Sequence, residues 1–120
     1  MLSAKDIRDA INSAPKLKAE PVPAWGGTVY VCNMNAHQRD NLDLAWGSER
    51  EGSDGVGYRA YVVAWCLCDE DNTPMFRGDE LAPMVDMLNT ERAAMVDRLF
   101  ETAARLNGIM PEDEAAAVKN

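Results

Sequence analysis

A chain of 120 residues, 47% apolar and 27% charged, is long enough to build one domain around its own core. Its net charge of −8, concentrated in the second half, repels phosphate backbones and argues against nucleic acid as a partner. No apolar run has the length of a membrane span, the first residues lack a signal peptide's apolar stretch, and three cysteines make no disulfide framework, so a reducing cytoplasm is the expected setting.

Ser3 with Asp6 three residues on predicts a short capped helix carrying Ile7, Ala10 and Ile11 on one face, ending before Pro15. Residues 16–34 change period. Pro21 and Pro23 forbid a helix, Gly26-Gly27 is a turn signal, and Thr28 to Met34 is rich in strand formers, so a β-hairpin over about 18–34 is expected. Asn35 and Gln38 have capping-box spacing and open a second helix with Leu42, Ala45 and Trp46 inward. Gly47 is its expected stop, and the glycine-rich residues 47–57 are expected to form a mobile loop.

Tyr58 to Cys68 is the most apolar segment and reads as a central helix, with strand as the alternative for Tyr61 to Trp65. Asp79 can cap a short helix bearing Leu81, Val85 and Leu88, with Pro83 in its first turn. From Asn89 or Thr90, a clean 3.6 period runs through Val96, Leu99, Phe100, Ala103 and Leu106 to a stop at Gly108. The expected fold is therefore α+β and mostly α-helical, an N-terminal β-hairpin packed on three to four helices, with Trp65, Leu99 and Phe100 in the core. A single globular domain would cover 1–109, followed by an acidic, flexible tail at 110–120.

Few residues suggest chemistry. Cys66 and Cys68 precede an acidic run, but zinc sites favour Cys-x-x-Cys, and a helix would turn this pair about 200° apart. They read instead as small apolar residues. Asp69, Asp71, Thr73 and Glu80 fall at calcium-loop positions 1, 3, 5 and 12, yet Pro74 stands where the loop needs glycine, so the run reads as an Asx turn. His37 is the only histidine, and no nucleophile elbow, phosphate loop or dinucleotide fingerprint occurs. A non-enzymatic protein without metal or cofactor is expected.

Several segments in order carry a resemblance: Met1-Leu-Ser-Ala-Lys-Asp-Ile7, Pro23-Ala-Trp-Gly-Gly-Thr-Val-Tyr-Val31, Ala36-His-Gln-Arg-Asp40, Leu67-Cys-Asp-Glu-Asp-Asn-Thr-Pro-Met-Phe76 and Asp97-Arg-Leu-Phe-Glu-Thr-Ala-Ala-Arg-Leu-Asn-Gly108. Together they resemble the tail assembly chaperones of long-tailed, lambda-type bacteriophages and prophages. The resemblance implies a small, acidic, non-enzymatic protein of the bacterial host cytoplasm. Such a protein binds the tape measure protein, keeps it soluble until the tail tube polymerises, and leaves before the virion matures. It further implies tail tube protein as a partner of a frameshifted, extended form, and it is compatible with self-association. The Lys119-Asn120 terminus can be encoded by a slippery run of adenines.

Met75, Met84, Met87 and Met95 cluster in the second half, and flexible methionines suit a binder of many similar helices. The expected partner-binding face is Leu81, Met84, Met87 and Leu88. Two other readings stand beside the chaperone. One is a metal-binding switch or metalloenzyme built on Cys66, Cys68 and the 69–80 loop, and the other is a static connector protein of the virion.

Overall fold

The computed structural model describes residues 1–13, 17–53 and 55–118. Among these, six α-helices and three strands follow the order α1 (Ala4–Ser13), β1 (Leu17–Val22), β2 (Gly27–Cys32), α2 (Ala36–Ser53), α3 (Tyr58–Cys66), β3 (Leu67–Cys68), α4 (Leu81–Asn89), α5 (Ala93–Asn107) and α6 (Pro111–Val118). The mostly helical α+β class expected from the sequence is the class observed.

The hairpin pairs Leu17 with Cys32 and Val22 with Gly27. Its turn is wider than Gly26-Gly27 alone suggests. Pro23–Trp25 makes one 3-10 turn, and only Gly26 takes a positive φ, 84°, while its N–H donates to the Pro23 carbonyl. Gly27 already belongs to β2. On the other side of β2, the two-residue β3 pairs Tyr30 with Cys68 and Val31 with Leu67. The central helix therefore stops at Cys66, and the chain enters the sheet within one residue. Tyr61 to Trp65 is helical throughout, so the helix reading holds there and the strand alternative does not; only Leu67 and Cys68 turn from helix to strand.

Asn35 and Gln38 form the capping box in full: each backbone N–H donates to the other's side-chain oxygen, at 2.9 and 2.8 Å. The helix they open does not stop at Gly47. It runs through Gly47 and Gly52 to Ser53, correcting the loop expected over 47–57. The reason is tertiary. Arg50 donates to the Ala116 and Ala117 carbonyls, and the Trp46 indole N–H also donates to Ala117. Those carbonyls belong to α6, so the expected tail is itself a helix as far as Val118. Pro111 suits its first turn, and Asp113 accepts from the Met110 N–H at 2.8 Å.

Two starts also move. A 3-10 turn over Gly78–Glu80 leads into α4 without a side-chain cap from Asp79, and α5 begins at Ala93. Thr90 instead closes α4 by donating from Oγ1 to the Met87 carbonyl at 2.7 Å. Gly108 ends α5 in the left-handed region, as its position suggests.

The core gathers α3 between α2, α4, α5 and the sheet. Val62, Ala64 and Cys66 of α3 are almost wholly enclosed, and Trp65, Leu99 and Phe100 are buried as expected. Arg59 clamps the outer side of α3, donating to Asp97 of α5 at 2.8 Å and to Glu114 of α6 at 2.7 Å. No helix among the described residues is long and apolar enough to cross a membrane.

The hairpin is fastened to α5 by Glu20. Its carboxylate accepts from Arg98 at 2.7 Å and from the Thr102 hydroxyl at 3.1 Å, and the Arg98 bond holds it below the usual carboxylate range. A depressed folded pKa adds stability above the ordinary value of 4.5, and that stability fades as pH falls through the lowered one. Glu20→Gln should therefore cost about 1 kcal/mol at pH 7, with half-exposed Arg98 limiting the effect, and should cost less at pH 3. Urea midpoints of both proteins at the two pH values check this. An equal loss at both would remove the carboxylate's charge from the account.

Candidate functional site

The four residues expected to form one partner-binding face do not do so. Val85 and Leu88 sit three apart on the buried side of α4, and Leu88 is only 2% exposed, a core residue. Leu81 lies on the same arc and is half-buried. Met87 stands about 100° away from Leu88 on the wheel and is 65% exposed. Met84, on the flank between, is half-buried and opens into a cleft.

That cleft, about 420 Å³, is lined mostly by apolar surface. Five separate segments build it. The hairpin turn supplies Trp25, β2 supplies Val29 and Tyr30, the segment returning from the Asx turn supplies Met75 and Phe76, and α4 supplies Met84. Leu67 and Cys68 of β3 complete its lining, and exposed Asp69 and Glu70 stand at its rim. Trp25 is fixed from behind, because its indole N–H donates to Glu91 at 2.8 Å, a bond that holds that carboxyl below its ordinary range. Met75, 51% exposed, lies along the opening.

The sequence singles out only Met84 and the methionine clustering among these residues. Trp25, Val29 and Tyr30 read there as hairpin residues, and nothing local places them against residues 75–84. Pairing of β3 with β2 does so, and a two-residue strand leaves no periodic signal.

The acidic run at the rim has the geometry of a turn. Asp69 Oδ1 accepts from the Asp71 N–H at 2.8 Å and the Thr73 N–H at 3.0 Å, and Asn72 takes φ 63°. Its carboxylate is thereby committed to the backbone. Among the described residues, no three His, Cys, Asp or Glu side chains converge as a metal-binding group.

The thiols are placed differently from the sequence reading. Cys66 ends α3 and Cys68 belongs to β3, so the pair does not share a helix. Cys68 Sγ donates to the Tyr30 carbonyl at 3.5 Å, and burial pushes its pKa up to about 11. The neighbour of Cys66 is Cys32 of β2. Interaction with the Cys66 thiol pulls Cys32 below the usual thiol range, and the same interaction, with burial, raises Cys66. The Arg77 guanidinium adds a favourable charge near Cys32 while stacking 3.8 Å from the Trp65 ring centroid. Burial lowers the pKa of this arginine.

Comparison of the chain with known protein families, with curated proteins and with solved structures finds no match.

Proposed function

We propose that this protein is a holding chaperone of phage tail assembly, working in the bacterial cytoplasm, and that its client is the tape measure protein. The segment-by-segment resemblance supports this reading. The observation that carries it is the cleft of Trp25, Val29, Tyr30, Met75, Phe76 and Met84, open beside an acidic rim. A long amphipathic helix exposes an apolar stripe and aggregates when alone. An apolar groove takes such a stripe one or two turns at a time. Two methionines and three aromatic rings give broad, adaptable contact, which suits repeated and reversible binding to similar segments. Asp69 and Glu70 favour helices with basic residues beside the stripe. Tail tube protein would enter through an extended form of the chain, and the chaperone would be absent from the finished virion.

Co-expression with the cognate tape measure protein is expected to keep that protein in the soluble fraction. Met75→Asp with Met84→Asp should return it to the pellet while the variant keeps its wild-type circular dichroism, since neither side chain is buried. Met87→Asp should change nothing, because that residue lies off the cleft. A folded double variant that still holds the client would move the binding face elsewhere. A wild type that never improves the client's solubility would end the chaperone reading, and its recovery in purified virions would favour a static connector instead.

A further inference from the structure

Helix α6 lies over α2 and α3 without burying any of its own residues. What holds it there is polar. The Arg59 guanidinium forks onto the Glu114 carboxylate, with bonds of 2.7 and 3.2 Å. Arg39 stands 3.9 Å from Asp113. Arg50 donates to the Ala116 and Ala117 carbonyls at 3.0 and 3.1 Å, and the Trp46 indole donates to the second of these at 2.9 Å. Those carbonyls belong to the last turn, where a helix supplies no donors of its own. On a chain of net charge −8, Arg39, Arg50 and Arg59 thus make a local basic face, and the segment on it opens with Glu112, Asp113 and Glu114. The fit is incomplete. Cavities of about 250, 290 and 360 Å³ run beside α6, the first lined by Trp46, Tyr58, Ala116 and Ala117.

We propose that the α2–α3 groove is a docking site for an acidic, amphipathic helix of a partner protein, and that α6 fills it in cis as a weak, removable stand-in. The groove reads a carboxylate together with the end carbonyls of a helix, and an acidic helix from another chain presents the same features. Beyond these, α6 offers it little more than alanine methyl groups. A partner helix with leucine-sized groups beside its carboxylate would fill the flanking cavities and add the apolar burial that α6 lacks. The stand-in keeps one advantage. Only Gly108, Ile109 and Met110 separate it from α5, so its effective concentration at the groove is on the order of millimolar. The groove therefore stays closed to weak competitors and opens to a partner that packs better. It shares no lining residue with the cleft of Trp25 and Met84, so the two sites act independently.

The probe is a fluorescein-labelled peptide with the sequence of residues 109–118, made unaltered and with Ala116→Leu, and titrated by anisotropy against the full chain. Glu114→Gln in the protein removes the charge that Arg59 grips in cis and leaves the groove intact. That variant should bind either peptide about tenfold more tightly than the wild type does, the effect of one charge-assisted bond at a partly exposed pair. The Ala116→Leu peptide should bind more tightly than the unaltered one, and a peptide carrying Glu114→Gln should not bind. Adding Arg59→Gln to the protein variant should abolish binding. Since Arg59 also bonds Asp97, hydrogen exchange gives a second reading that needs no variant: saturating peptide should speed exchange of the wild-type amides at 111–118 and leave those of α5 protected. Equal affinity for wild type and Glu114→Gln, binding to neither, or unchanged exchange at 111–118 would each overturn the proposal. So would sedimentation showing that the wild type alone dimerises and loses the dimer with Glu114→Gln, because the occupant would then be a second copy.

Discussion

Trp46→Ala is expected to lower the free energy of unfolding by about 3–5 kcal/mol, the range for deleting a large buried aromatic side chain. The indole packs edge-on against Tyr58 and tilted against Tyr61, with centroids 5.2 and 5.3 Å away, and its N–H donates to the Ala117 carbonyl at 2.9 Å. One side chain of α2 thus holds α3 through ring contacts and α6 through a hydrogen bond. Its loss should also free α6, so amides of residues 111–118 should exchange faster than those of α5. Denaturant unfolding measures the first effect and native-state hydrogen exchange the second. A loss below about 1 kcal/mol would mean that the neighbouring helices collapse into the space. Trp65 is buried too, but its indole N–H has no acceptor among the described residues and its face is covered by Arg77. An enclosed donor without a partner offsets part of what the ring contributes, so Trp46 is the more sensitive site.

Asn107→Leu should be nearly as damaging, at about 2–4 kcal/mol. The Asn107 side chain accepts from the Met34 N–H at 2.6 Å and donates to the Cys32 carbonyl at 3.0 Å and the Ala103 carbonyl at 2.9 Å. It is the clasp between the end of β2 and the last turn of α5. Leucine fits the volume and satisfies none of these groups, so the Met34 N–H and the Cys32 carbonyl both lose this partner. The main-chain carbonyl of Asn107 also takes a bond from Arg39 at 3.2 Å, and this should survive the substitution. Urea unfolding gives the magnitude. A near-neutral result would show that water replaces the amide at the clasp.

Signals carried by neighbouring residues could be read from the sequence. The Asn35–Gln38 box, the Ser3–Asp6 cap, the Asx turn at Asp69 and the Gly108 stop each depend on residues within four positions of one another, and each is present. The α5 stripe was equally plain, because its period is its burial. What escaped depends on distant partners. Gly47 and Gly52 weaken a helix locally, but contacts from residues seventy positions away hold α2 through both. β3 exists only because β2 lies beside it. The cleft combines five segments, none unusual alone, a relation that spacing along the chain does not encode.

Helix α1 has no buried residue, and Leu2, Ile7 and Ile11 are all exposed. Among the described residues, the side-chain bonds that hold it helical are local: the reciprocal Ser3–Asp6 cap and the Lys5–Asp9 pair. Ten residues are fewer than the roughly 12–15 at which an isolated helix persists in water. Helix α1 is therefore expected to melt and reform on the microsecond scale independently of the core that the sheet and the other helices share, which hydrogen exchange of its amides would show.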